Sequence, residues 1–163
     1  MQIVGRLKKK SNEEIEKIVS RIEQKCAAGE LPKAADIYLG SAEIEIMAKN
    51  VVEFGSHNNS HFFLSQLEAR DLKEGVEYSK KYLENIIGWP VRYLAYPNGK
   101  ADDFNHTVVA AVKGAHYSHA FSLMPEQIDS PYAIGRYGIY VNDKSYEPLF
   151  GLRLALHAWK GKG

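Results

Sequence analysis

The 163 residues are enough for one domain with a sizeable core, so no disulfide or metal is needed to hold the fold. Hydrophobic residues at 45% and charged residues at 25% are globular proportions and exclude a disordered chain. Twenty-one Lys and Arg against 20 Asp and Glu leave a net charge of +1, too even for a surface built to hold nucleic acid, and no apolar run approaches the roughly 18 residues of a membrane span.

Residues 1–10 place Lys8, Lys9 and Lys10 after a short apolar stub, the reverse of a secretory signal; cytoplasm and cell envelope both stay open as locations. Ser11 and Glu14 read as a capping box. Ile15, Ile18, Val19, Ile22 and Cys26 then form one apolar helical stripe that Gly29 and Pro32 end. Cys26 is the only cysteine and reads as a packed core thiol; its solitude excludes intrachain disulfides and thiolate-rich zinc sites. A shorter helix spans Ser41 to Lys49, and Val51 to Phe54 reads as a short buried strand stopped by Gly55. Ser65 with Glu68 predicts a second capping box, opening a helix through Leu72, Val76, Ser79, Leu83 and Ile87 to Gly88. Val91 to Tyr96 predicts a strand, and Asp102 or Asp103 predicts the cap of a helix running to Gly114. His116 to Leu123 and Ile134 to Val141 read as further strands, and Pro148 to Trp159 as a last helix. Strands alternating with helices predict one α/β domain over 1–163 with a parallel sheet.

Two segments carry chemistry. Gly55-Ser56-His57-Asn58-Asn59-Ser60-His61 follows a predicted strand, at the edge where α/β folds bind ligands. Imidazoles four residues apart in a tight turn can converge on one metal ion, although a bare His-x-x-x-His pair also fits surface histidines. Tyr96-Pro97-Asn98-Gly99 ends the next strand in a sharp reversal that can turn the Asn98 N–H toward a ligand, although read alone it is a plain turn.

In this order "EFGSHNNSHFFLSQL", "IIGWPVRYLAYPNG", "GAHYSHAFSL" and "YAIGRYGIY" resemble the polysaccharide deacetylase family of carbohydrate esterases, over about Leu7 to Tyr140. The resemblance implies an incomplete (β/α) barrel and metal-dependent removal of acetyl groups from N-acetylated oligo- or polysaccharides. It implies His57 and His61 as metal ligands, with a divalent metal, zinc, as cofactor. Tyr96, Pro97, Asn98 and Gly99 become the substrate-groove motif, whose backbone amide helps bind the oxyanion; Arg136 matches a position often basic in the subgroup closest to this chain and joins the substrate-binding set. The chemistry explains the grouping. An amide is a poor electrophile and water a poor nucleophile, and a metal held by imidazoles activates both.

The family's Thr-Phe-Asp-Asp signature, source of its general base and third metal ligand, has no counterpart here; the sequence enters the family pattern after it. Asp36 and Glu43 sit in no matching motif. Metal held by His57 and His61 alone is therefore expected to bind weakly, and an exposed sheet edge predicts pairing of the chain into a homo-oligomer. Ala95 stands where many relatives carry arginine, and Arg92 lies three residues earlier on the strand. His119 is the candidate general acid, His116 falls on the opposite strand face, and His157 lies in the tail. A non-catalytic carbohydrate-binding remnant, with Tyr96, Phe62 and Trp89 as stacking rings, is the alternative function.

Overall fold

The computed structural model describes residues 10–25, 37–124 and 130–136. The chain divides into two compact units, residues 1–51 and 52–163.

In the first unit, helix α1 (Asn12–Lys25) opens on the capping box read from the sequence. The Ser11 N–H donates to the Glu14 carboxylate at 3.0 Å, and the Glu14 N–H donates back to Ser11 Oγ at 3.3 Å. Ile15 and Ile18 are half-buried, whereas Val19 and Ile22 are exposed. Helix α2 (Ser41–Lys49) begins at Gly40, whose N–H is taken by Glu43 Oε2 at 2.8 Å, and it buries no residue. Cys26, Asp36, the residues that end the first stripe, the part of the last predicted strand after Arg136, the Pro148–Trp159 helix and His157 lie outside the described residues.

Among the described residues the second unit holds a three-stranded parallel sheet, β1 (Tyr93–Ala95), β2 (His119–Ser122) and β3 (Ile134–Gly135), in that spatial order. Helix α3 (Ala69–Ile87) precedes β1, and α4 (His106–Gly114) makes the crossover to β2, as parallel pairing requires. The register sets Tyr93 beside His119, Leu94 beside Ala120, Ala95 beside Phe121, and Phe121 beside Ile134. Alternation then sorts the side chains. Leu94, Ala120 and Ser122 are completely buried, as are Val76 on α3 and Val112 on α4. Tyr93, Ala95, His119, Phe121 and Ile134 occupy the other face, half-exposed. This is the α/β architecture of an incomplete (β/α) barrel.

Four expectations need correction. Val51 to Phe54 form no strand: Val51 is left-handed at φ 71°, and among the described residues pairing on that side of β1 is one parallel bridge from Ser56 to Leu94. The Ser65–Glu68 box does not form, because Ser65 Oγ donates to the Asp102 carbonyl at 2.8 Å, and α3 starts at Ala69 with Glu68 as its uncapped flank. Asp102 and Asp103 lie in a 3-10 turn, and the cap of α4 is Asn105, whose Oδ1 accepts the Val108 N–H at 3.0 Å. His116 is in an exposed turn at φ 59° rather than on a strand. The stop at Gly88 stands: it is left-handed at φ 83°, the ordinary glycine end of a helix.

Candidate active site

Gly55 is what lets the histidine segment reach the sheet. A Cβ there would lie 3.1 Å from the Tyr93 carbonyl, so glycine permits the close approach in which Ser56 N–H bonds Tyr93 O at 2.9 Å and Ala95 N–H bonds Ser56 O at 2.8 Å. From this anchor the chain turns outward. Asn58 at φ 64° and His61 at φ 55° are both left-handed, a conformation that Asn and His adopt more readily than bulky residues. The turn brings the two rings together edge to face, with centroids 4.8 Å apart.

His57 Nδ1 lies 2.7 Å from the Ala95 carbonyl oxygen. A carbonyl can only accept, so this contact places the proton on Nδ1 and leaves the lone pair on Nε2, the arrangement that orients an imidazole as a metal ligand. Burial holds the His57 ring below the usual histidine range; the Ala95 bond pushes the other way, and the charges of His61 and Arg136 add to the lowering.

The Tyr96–Gly99 turn leaves the end of the same strand. Tyr96 is fully buried, stacked on Phe104 at 4.4 Å, and its hydroxyl donates to the Tyr132 carbonyl at 2.9 Å; burial raises its phenol. Asn98 and Gly99 have φ 61° and 74°, and the Gly99 N–H closes on the Pro97 carbonyl at 2.7 Å. Among the described residues nothing accepts the Asn98 N–H. Arg136 supports this turn. Its Nη2 donates to the Tyr96 carbonyl at 3.0 Å and its Nε to the Ser122 carbonyl at 3.2 Å, so the guanidinium ties β2 and the residue after β3 to the turn.

A groove of about 710 Å³ opens on the half-exposed sheet face, lined by Glu53, His57, Tyr93, His119, Phe121 and Ile134 among others. His119 therefore shares a groove with His57, and its Nδ1 is buried with no hydrogen-bond partner among the described residues. His61 and the 97–99 turn lie outside that lining, Phe62 is half-buried, Trp89 is exposed, and Arg92 is exposed. Sequence reasoning missed Glu53, Tyr93, Phe121 and Ile134 as groove residues; the parity of Tyr93 and Ala95 against the apolar Leu94 was the available signal.

A family model described as polysaccharide deacetylase matches residues 18–120, more than half of the chain. The chain belongs to the polysaccharide deacetylase family. Solved structures with this fold include a de-N-acetylase from Aggregatibacter actinomycetemcomitans, at TM-score 0.58 and 20% identity over 69% of this chain and 55% of that one. The deacetylase PplD of Streptococcus pyogenes, solved with acetate, gives TM-score 0.60 and 20% identity over 67% of this chain and 48% of its own. A polysaccharide deacetylase from Bacillus cereus gives 0.58 and 22% over 77% and 43%. The chain thus spans about half the length of these structures. No curated protein matches the sequence.

Enzymes of this family generally use a divalent metal. The donor chemistry of the histidine pair suits one: Nε2 of His57 is free of the Ala95 bond, and the His61 ring centroid lies 4.8 Å from that of His57. Among the described residues no group of three or more His, Cys, Asp or Glu side chains gathers to complete a shell.

Proposed function

We propose that this polysaccharide deacetylase domain removes acetyl groups from N-acetylated oligo- or polysaccharides, breaking a carbon–nitrogen amide bond. One observation carries the reading: the His57 and His61 rings meet at 4.8 Å while His57 is bonded to Ala95, the residue that leads into the Tyr96–Gly99 turn. Two candidate ligands and a candidate oxyanion donor, the Asn98 N–H, are thereby attached to the end of one strand. The acetate solved with the Streptococcus pyogenes relative is the acid that such a reaction releases.

In this reading His57 and His61 hold a divalent metal, zinc, which when bound would polarise the acetamide carbonyl and supply an activated water. The Asn98 N–H stabilises the oxyanion, a donor whose loss costs roughly 3–4 kcal/mol of transition-state binding in comparable sites. His119 gives its proton to the departing amine from the groove wall; among the described residues no partner fixes its Nδ1. Arg136 positions the turn through two of its five N–H donors, Nε on the Ser122 carbonyl and Nη2 on the Tyr96 carbonyl.

The test is acetate release from an N-acetylated chitooligosaccharide by the full chain with zinc added. Turnover that disappears with a chelator and in His57→Ala is the expected result. Sugar binding without turnover would leave the carbohydrate-binding remnant in its place, a reading that the absence of a third ligand among the described residues favours.

A further inference from the structure

Gly75 sits near the middle of α3, where glycine lowers helix stability relative to alanine because it surrenders more backbone freedom. The reason for a glycine there is its neighbour. A Cβ at Gly75 would lie 2.9 Å from Asn58 Oδ1, inside any normal contact, and 3.7 Å from both Cγ and Nδ2 of the same amide. Asn58 is the residue after His57, and its own N–H donates to Ser56 Oγ at 3.2 Å. Ser56 Oγ is in turn bonded to Ser79 Oγ at 2.7 Å, and Ser79 stands one helical turn beyond Gly75. The histidine loop is thus attached to α3 at two adjacent points, a hydroxyl pair and a seated amide.

The second point is unusual in its chemistry. Both amide atoms of Asn58 are buried with no hydrogen-bond partner among the described residues. A buried unpaired amide is unfavourable, and packing alone would be served better by an apolar side chain. The backbone explains the choice: Asn58 is at φ 64°, where asparagine is tolerated and β-branched or bulky apolar residues are not.

We propose that Gly75 and Asn58 form a positioning latch for the histidine pair. The gap left by glycine admits the amide, the seated amide holds the left-handed turn, and the turn swings the chain so that His61 meets His57. Neither residue touches the reacting atoms; both act through the imidazoles. Only the zinc arm of the following test rests on the metal-site reading.

Two measurements on the full chain decide it: the ring-to-ring nuclear Overhauser contact between His57 and His61 without metal, and the affinity for zinc ion alone. Gly75→Ala should weaken the ring contact and lower zinc affinity by about tenfold, the lower end for a residue that orients a ligand. Its melting temperature should hold or rise, since alanine favours the helix. Asn58→Gly, which keeps the backbone conformation and removes the amide, should give the same losses, and the double variant should be no worse than either single one. The latch is overturned if both single variants keep the ring contact, if only melting temperature moves, or if the losses multiply in the double variant. A wild-type chain with the ring contact but no zinc binding would end the metal reading while the contact arm still judges the latch. Should Gly75→Ala fail to fold, the Asn58→Gly arm decides alone, on the same two readouts.

Discussion

The two faces of the β1–β2–β3 sheet use the same residues of backbone and differ in everything built upon them. On one face Leu94 and Ala120 have no exposed surface, and Ser79 and Tyr117 reach across to bind Ser56 and the Val76 carbonyl. On the other, Tyr93, His119, Phe121 and Ile134 wall an open groove at whose rim the His57 ring is hung from Ala95. Parallel sheets are ordinarily covered on both sides. Here the covered face supplies the rigidity and the open face supplies the access, so a single strand residue such as Ala95 can bond a histidine on one side while Leu94 next to it closes the core.

The largest expected effect breaks the comparison if it fails. Leu94→Ala should cost about 3 kcal/mol in urea unfolding, the usual penalty for a cavity in a packed core, whereas Phe121→Ala should cost less than half as much. Equal costs would mean that the groove face is as tightly packed as the helix face, and the groove would lose its claim to be open.

A smaller effect sharpens the same contrast at the strand end. Gly99 combines φ 74° with a Cβ position only 2.9 Å from the Leu123 backbone nitrogen. Gly99→Ala should therefore destabilise by about 2 kcal/mol, more than the left-handed penalty alone at its lower bound, and it should also reduce acetate release by displacing the Asn98 N–H. Loss of stability with full turnover would detach the turn from the chemistry.

What the sequence made legible was local, and what it hid depended on partners far along the chain. The Ser11–Glu14 box and the Gly88 stop need only neighbouring residues, and both stand in the structure. The Ser65–Glu68 box has the same grammar, but Asp102 takes the serine hydroxyl from 37 residues away, which no reading of residues 65–68 reveals. Val51 to Phe54 carry strand-forming side chains, but among the described residues they pair with no strand, and the bridge to β1 is made by Ser56. The site divides in the same way. The His57 and His61 spacing and the Tyr96–Gly99 turn could be read directly, whereas the groove exists only through the register that sets Tyr93 beside His119. Asn58 and Gly75 lie 17 positions apart, and the ordinary helical pattern around Gly75 gave no sign of what it faces.

The smallest effect concerns protons on the open face. Burial, opposed by the Ala95 bond and reinforced by His61 and Arg136, holds His57 below the histidine value of about 6.5 that an unfolded chain shows. As pH falls through 6.5 the unfolded chain therefore takes up this proton before the folded one does. Stability must then rise with pH across the window between the folded His57 value and 6.5, and be lost on acidification through it, levelling once both states are protonated. Metal-free protein should accordingly melt at a lower temperature at pH 5.5 than at pH 7.5, and His57→Gln should narrow that difference. Because His57 is exposed to solvent, the narrowing should be modest, smaller than either substitution effect above. A variant with the wild-type slope would mean that the Ala95 bond, which favours the charged ring, fully offsets the burial that opposes it.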